Sequence, residues 1–248
     1  MKIIIAPAKK MIVDTDDFEY ETLPKYLDQT EFILKQLRKL NYSDAKALWK
    51  CSDKLAEPNF KQLQEMDLHQ KLTPALLAFS GIQYQYMAPD LFTEKALDYV
   101  RQNLRILSGF YGILRPFDGV VPYRLEMQSK IKIPKFQNLY TFWNSKLYDA
   151  LSTNNEPIIN LASEEYSKAI TPYLKPKQEF ISVVFGSIVD GKLKVKATLA
   201  KMARGEMVRF MAENNVDNIE DLKKFNHPDW KLSTNLSTPK QLVFIYQK

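Results

Sequence analysis

EFISVVFGSIVDGKLKVKATL, residues 179–199, carries the plainest structural signal in the chain. Two alternating runs flank Asp190-Gly191, a dipeptide that tolerates the positive φ angles of a two-residue turn, so the stretch predicts an antiparallel hairpin with a tight primed turn. A helix follows it to about Asn214. Elsewhere KIII at 2–5 reads as a short buried strand ending in a turn at Pro7, Lys9 and Lys10, and Pro157 to Leu161 reads as another strand. LVFIYQK closes the chain as a strand. Between these runs, helices are expected over Leu23–Leu40, from a Ser43 cap to Trp49, and over Asp53–Glu65 with an interruption at Pro58. Others start at Thr73-Pro74 and run to Phe79, from a Thr93 cap to about Leu104, after Thr141, after Ser163, and after Asp217 with Glu220 as a capping box. The acidic run Asp14, Asp16, Asp17 and Glu19 reads as a loop. No repeat, low-complexity tract or linker interrupts residues 1–248, which predicts one domain.

Leu104 to Met127, LRILSGFYGILRPFDGVVPYRLEM, holds three of the seven glycines in the chain. Gly109 and Gly112 permit positive φ or close backbone approach, and Arg115-Pro116 ends any helix in extended geometry. On a strand, Tyr123, Leu125 and Met127 would face a core, while Arg124 and Glu126 share the other face. Residue types alone leave that pair open between a structural ion pair and a functional one.

LSGFYGILRP followed by PYRLEM resembles the signature of the bacterial YaaA family of peroxide stress resistance proteins. The resemblance extends through IAPAK at 5–9, SDKLA at 52–56, LYTFW at 139–143, NLASEEYSK at 160–168 and AKMARGEMVRF at 200–210. It implies a mixed α/β fold specific to the family, with a mixed sheet beside helices and a basic cleft. It also implies a cytosolic protein that protects against peroxide, associates with duplex DNA and limits iron-driven damage. Asn160, Ser163, Tyr166 and Lys168 are site candidates through this resemblance. Two departures matter. Where the family has an acidic GDVY, this chain has Gly81-Ile82-Gln83-Tyr84, so no aspartate is present there to act. Where the family has been likened to a helix-hairpin-helix, this chain has Glu57-Pro58 in place of a glycine; proline removes an amide donor and Glu57 repels phosphate, which makes residues 43–65 a packed helical hairpin.

Composition narrows the chemistry. A single cysteine, Cys51, excludes an intramolecular disulfide and points to a reducing compartment. His69 and His227 are the only histidines and are not spaced as ligands, so no metal or cofactor is expected. No GxGxxG or GxxxxGK[ST] loop occurs. The N-terminal apolar run is too short for a signal peptide and no window suits a membrane span, so a cytoplasmic location and no membrane partner are expected. The net charge is +6, and its excess sits in two segments. Tyr99–Lys135 holds seven basic residues against two acidic ones, and Lys192–Arg209 holds six against one.

On a helical wheel of ~100° per residue, Leu199, Ala203, Met207, Phe210 and Met211 gather on one side and Lys201, Arg204, Gly205 and Arg209 on the other. A glycine among three cations suggests an anion close to that face; the alternative is a glycine that packs against a neighbouring segment. The sites expected from these readings are Lys9, Arg105, Tyr111, Arg115, Tyr123, Arg124, Lys201, Arg204, Gly205 and Arg209 for phosphate, with the four family candidates above. Interleaved aromatics Phe110, Tyr111, Phe117, Tyr123, Tyr140 and Trp143 would stack on exposed bases. The expected partner is nucleic acid, double-stranded or distorted DNA. The rival reading is an enzyme acting on a nucleotide or nucleic acid, with an Arg/Lys phosphate clamp and Glu126 as general base.

Overall fold

The computed structural model describes residues 1–13, 18–151 and 156–247, so Asp14, Asp16 and Asp17 of the acidic run lie outside the described residues. Among the described residues one sheet is built from β1 (Lys2–Ile5), β2 (Leu104–Ser108), β3 (Gly112–Leu114), β4 (Ile158–Leu161), β5 (Phe180–Val189), β6 (Lys192–Lys194), β7 (Trp230–Leu232) and β8 (Gln241–Tyr246). Its spatial order is β3-β2-β1-β4-β5-β8-β7, with β6 beside the outer end of β5. Strands β2, β1, β4, β5 and β8 are parallel neighbours, and β3, β6 and β7 pair antiparallel with β2, β5 and β8. The hairpin is present: Asp190 and Gly191 have φ of 52° and 72°, as a primed turn needs.

Parallel strands buried on both faces need continuous apolar runs. Ile3, Ile4, Ile5, Ile159 and Leu161 are fully buried, which explains why KIII and IINL carry no alternation. The flanking helices used below are α1 (Leu27–Leu37), α2 (Tyr42–Trp49), α3 (Asp53–Glu65), α4 (Ile82–Met87), α5 (Glu94–Asn103) and α6 (Ala197–Glu213). The mixed α/β fold with a mixed sheet and flanking helices is therefore the observed one.

Several local expectations shift. Pro58 lies inside a continuous α3, and the turn of the helical hairpin is at Lys50–Ser52, where Lys50 takes φ 47°. Asn41, not Ser43, caps α2 by accepting from the Asp44 amide at 2.9 Å. Asn138 caps the helix Leu139–Trp143 in a box with Thr141, and Asn218, not Asp217, caps Ile219–Leu222. Ser163 precedes Glu164–Ser167 but makes no side-chain cap bond. Strand β7 has only three residues, too few for its alternation to register in the sequence. No helix among the described residues is long and apolar enough to cross a membrane.

Chain direction reverses beside β1. From β1 the chain crosses to β2 on one side, and from β4, its neighbour on the other side, it proceeds outward to β5. Connections that leave adjacent parallel strands in opposite directions open a crevice at their carboxyl ends, the common ligand position in open α/β sheets.

Candidate functional site

The loops after β1 (Ala6–Lys10) and β4 (Ser163–Tyr166) line a cavity of about 490 Å³ at that reversal. Its remaining walls come from α4, from Tyr123–Glu126 and from Lys201 and Arg204 of α6. Five cations (Lys9, Lys10, Arg124, Lys201 and Arg204) and two carboxylates (Glu126 and Glu165) face it. The two basic segments of the sequence thus each contribute to one site.

Each wall is held by identifiable contacts. The Tyr84 hydroxyl donates to the Ala6 carbonyl at 3.0 Å, and the Ser80 amide donates to the Lys10 carbonyl at 2.9 Å, so the loop after β1 is tied to the start of α4. Buried Asn160, at the end of β4, accepts from the Ala162 amide at 3.0 Å and donates to Ser182 Oγ at 3.1 Å, which fixes the loop carrying Ser163. Tyr123–Met127 forms no strand, yet the alternation holds: Tyr123, Leu125 and Met127 are buried and Arg124 and Glu126 turn to the cavity. Gly109 permits this close approach, since a Cβ there would lie 2.7 Å from the Leu125 carbonyl oxygen. Trp49 clasps Arg124, its indole donating to the Arg124 carbonyl at 2.7 Å while Arg124 Nη2 donates to the Trp49 carbonyl at 3.5 Å.

Glu126 stands between cations, with Oε1 3.2 Å from Lys9 Nζ and 3.8 Å from Arg124 Nη2. Its other oxygen accepts from Ser129 Oγ at 3.4 Å. Glu165 accepts from the Gln128 amide at 3.1 Å, and burial, followed by repulsion from Glu126, raises its pKa above the ordinary carboxylate value. Burial likewise pushes up the phenols of Tyr84, Tyr123 and Tyr166, which keeps them neutral donors and acceptors. Tyr123 has a defined polarity. Ser108 Oγ already accepts from the amides of Phe110 (3.1 Å) and Tyr111 (2.9 Å), which uses both lone pairs. Its proton must then serve the 2.6 Å contact to the Tyr123 oxygen, leaving the phenolic proton for another acceptor.

Among the described residues no carboxylate lies within ion-pair distance of Arg204, and desolvation holds its pKa below the ordinary guanidinium value. Its Nε is buried without a hydrogen-bond partner among the described residues, as are Arg124 Nε and Gln83 Nε2. All three belong to residues around this one cavity. A buried unpaired polar atom costs about 1–3 kcal/mol, so their concentration marks a wall shaped for something other than stability. Among the described residues no three His, Cys, Asp or Glu side chains gather as a metal site.

The structure brings Lys9, Tyr123, Arg124, Glu126, Ser163, Tyr166, Lys201 and Arg204 to one place. Other candidates lie apart. Arg105 and Arg115 line a separate hollow with Glu21 and Arg101, because β2 carries Arg105 to the opposite end of the motif. Lys168 is exposed and pairs with Glu164 at 2.7 Å, and Arg209 pairs with Glu213 at 2.8 Å one turn along α6. Tyr111 is core, its hydroxyl accepting from the Val121 amide at 3.1 Å. Gly205 is explained by packing: a Cβ there would overlap the Gln83 carbonyl oxygen and lie 2.8 Å from the Met87 amide nitrogen, so it is where α6 crosses α4. The expected stacking surface is not formed, since Phe110, Tyr111, Phe117, Tyr123 and Trp143 are all buried and Tyr140 donates to the Glu165 carbonyl at 2.8 Å. Lys10, Gln83 and Glu165 are members of the site that were not among the expected site residues; Lys10 adjoins Lys9, Glu165 lies in the NLASEEYSK block and Gln83 lies where the family has GDVY.

The description "peroxide stress protein YaaA" belongs to the family model that matches residues 1–236. The chain belongs to the YaaA family. It is 61% identical over the full length of both chains to a UPF0246 protein of Lactiplantibacillus plantarum. It is 58% identical to one of Pediococcus pentosaceus over 99% of this chain and 98% of that one, and 51% identical to one of Agathobacter rectalis over 98% of each. The family blocks fall on the site: IAPAK supplies the loop after β1, PYRLEM the Arg124–Glu126 wall and NLASEEYSK the loop after β4.

Proposed function

We propose that this YaaA family member acts in the cytoplasm in peroxide defence by binding DNA, duplex or distorted, with backbone phosphate held at the cationic wall of the cavity. Arg204 carries the reading: a desolvated guanidinium that no carboxylate among the described residues neutralises is best explained by an external anion. Lys9, Lys10 and Lys201, all exposed at the rim, add the long-range attraction. Fixed cations on phosphates release condensed counterions, which makes such binding strongly salt-dependent. The test is fluorescence polarisation of a labelled duplex across a salt series, with Arg204→Met beside the parent. Binding that steepens as salt falls and is lost in the variant supports the reading; equal binding by both proteins refutes it.

The rival is an enzyme acting on a nucleotide or nucleic acid. Glu126 between Lys9 and Arg124, in a cavity within the size range of small-molecule sites, is what favours it. Glu126→Gln separates the two: general-base chemistry is lost, whereas DNA affinity changes by no more than about threefold, a small electrostatic increment.

A further inference from the structure

The β5–β6 hairpin is unused by the site described above. Strand β5 runs parallel to β1 and β4, so its carboxyl end points to the same sheet edge as the loops that line the cavity. Residues 182–186 of β5 pair with β8 inside the sheet, but Ser187–Val189 pair only with β6, so the hairpin projects beyond it. Lys192 and Lys194 on the return strand, and Lys196 two residues beyond its end in extended backbone, recur at every second position and are all exposed. Residues two apart share a face. Leu193, between them, packs over Gly186 on the other side. The one acidic group on the hairpin, Asp190, meets Lys194 at 3.4 Å, and both are solvent-exposed, so the pair is weak and screened.

The chain runs on from this stripe to the cavity wall. Lys196 immediately precedes α6, and Lys201 and Arg204 follow on that helix at the cavity wall. Lys192 to Lys196 spans roughly 13 Å at ~3.3 Å per extended residue. Lys196 to Lys201 adds roughly 7.5 Å at ~1.5 Å per helical residue. The extended stretch of roughly 13 Å by itself matches about four phosphates of one DNA strand, spaced ~3.4 Å along the duplex axis.

We propose that Lys192, Lys194 and Lys196 form a phosphate-tracking arm that holds the DNA backbone alongside the cavity, a surface distinct from the cavity wall. The inference rests on the nucleic-acid reading above. The arm recognises no sequence; it adds affinity and orients the strand. Lysines on an exposed edge also discourage strand-to-strand aggregation, and that lesser role is what the test must exclude.

The experiment compares the parent with Lys192→Ala/Lys194→Ala/Lys196→Ala, using one labelled 20-base-pair duplex over a sodium chloride series, after thermal melts have shown equal folding. Each phosphate contact contributes ~0.9 to the slope of log affinity against log salt, so the triple variant is expected to lose about 2 to 3 from that slope and roughly tenfold or more in affinity. A parent that binds and a variant with the same slope would overturn the arm while sparing the cavity reading. A parent that does not bind duplex overturns both.

Discussion

Gly205→Ala tests the helix crossing on which the cavity wall depends. In an isolated helix the change would stabilise by about 1 kcal/mol. Here the new methyl would overlap the Gln83 carbonyl oxygen and stand 2.8 Å from the Met87 amide nitrogen. Both obstacles are backbone, so no side chain can rotate away. Ordinary contact requires α6 and α4 to separate by roughly 1 Å, a gap that forfeits a quarter to a half of each pairwise attraction across it. Ala203, Met207, Val208, Tyr84 and Met87 are buried at or beside this crossing. Overpacking costs about 1–3 kcal/mol in well-packed cores, with rigid backbone at the upper end; set against the helix gain, the net loss is about 2 kcal/mol. For a chain of this size that lowers Tm by about 4–8 °C. Because Gln83 and Arg204 sit on the two separating helices, anion binding should weaken in the same variant. Calorimetry with a denaturant melt measures the first effect and polarisation the second. A Gly205→Ala protein as stable as the parent would refute the close crossing.

Arg204→Met should leave Tm unchanged or raise it by about 1 kcal/mol equivalent, since a half-buried, desolvated charge with no ion-pair partner among the described residues is replaced by an apolar chain, while duplex affinity falls; a clear drop in Tm would show that the guanidinium has a structural partner. Asn160→Ala should cost about 1–3 kcal/mol in a urea melt, because the Ala162 amide is left buried without its acceptor at 3.0 Å; an unchanged midpoint would contradict that role. Glu165→Gln carries a pH sign. A carboxyl whose folded pKa is raised binds protons more tightly in the folded state, so its ionisation penalises folding increasingly as pH rises from the ordinary carboxylate range through the raised value. The variant's Tm should therefore exceed the parent's at pH 7 and converge with it at pH 4; a constant difference would refute burial as the cause.

Much of this was legible because it depends on local chemistry. KIII and IINL announce buried strands by lacking alternation, and Asp190-Gly191 announces its turn. The alternation in Tyr123–Met127 gave the right faces even though the segment pairs with no strand, since what it reports is burial rather than hydrogen bonding. What failed was tertiary. Gly205 sat among cations on a wheel, but its neighbour is a helix more than a hundred residues away, invisible to any periodicity. Arg105 and Arg115 share a motif with Arg124, yet β2 and the turn after β3 send them elsewhere. The aromatics of the same motif are core because Gly109 and Gly112 draw its segments together. Gln83 lies at the family's GDVY position, but its amide matters here because the fold buries it at the cavity that Arg204 also lines.

Hydrogen exchange of the protein with and without a short duplex tests the central claim most directly. The account predicts slowed exchange in residues 6–10, 82–87, 123–128 and 197–204, the segments that wall the cavity, with the effect on 192–196 following the arm. Protection centred instead on the α2–α3 hairpin or on the Arg101–Arg105–Arg115 hollow, with the cavity segments unchanged, would contradict it.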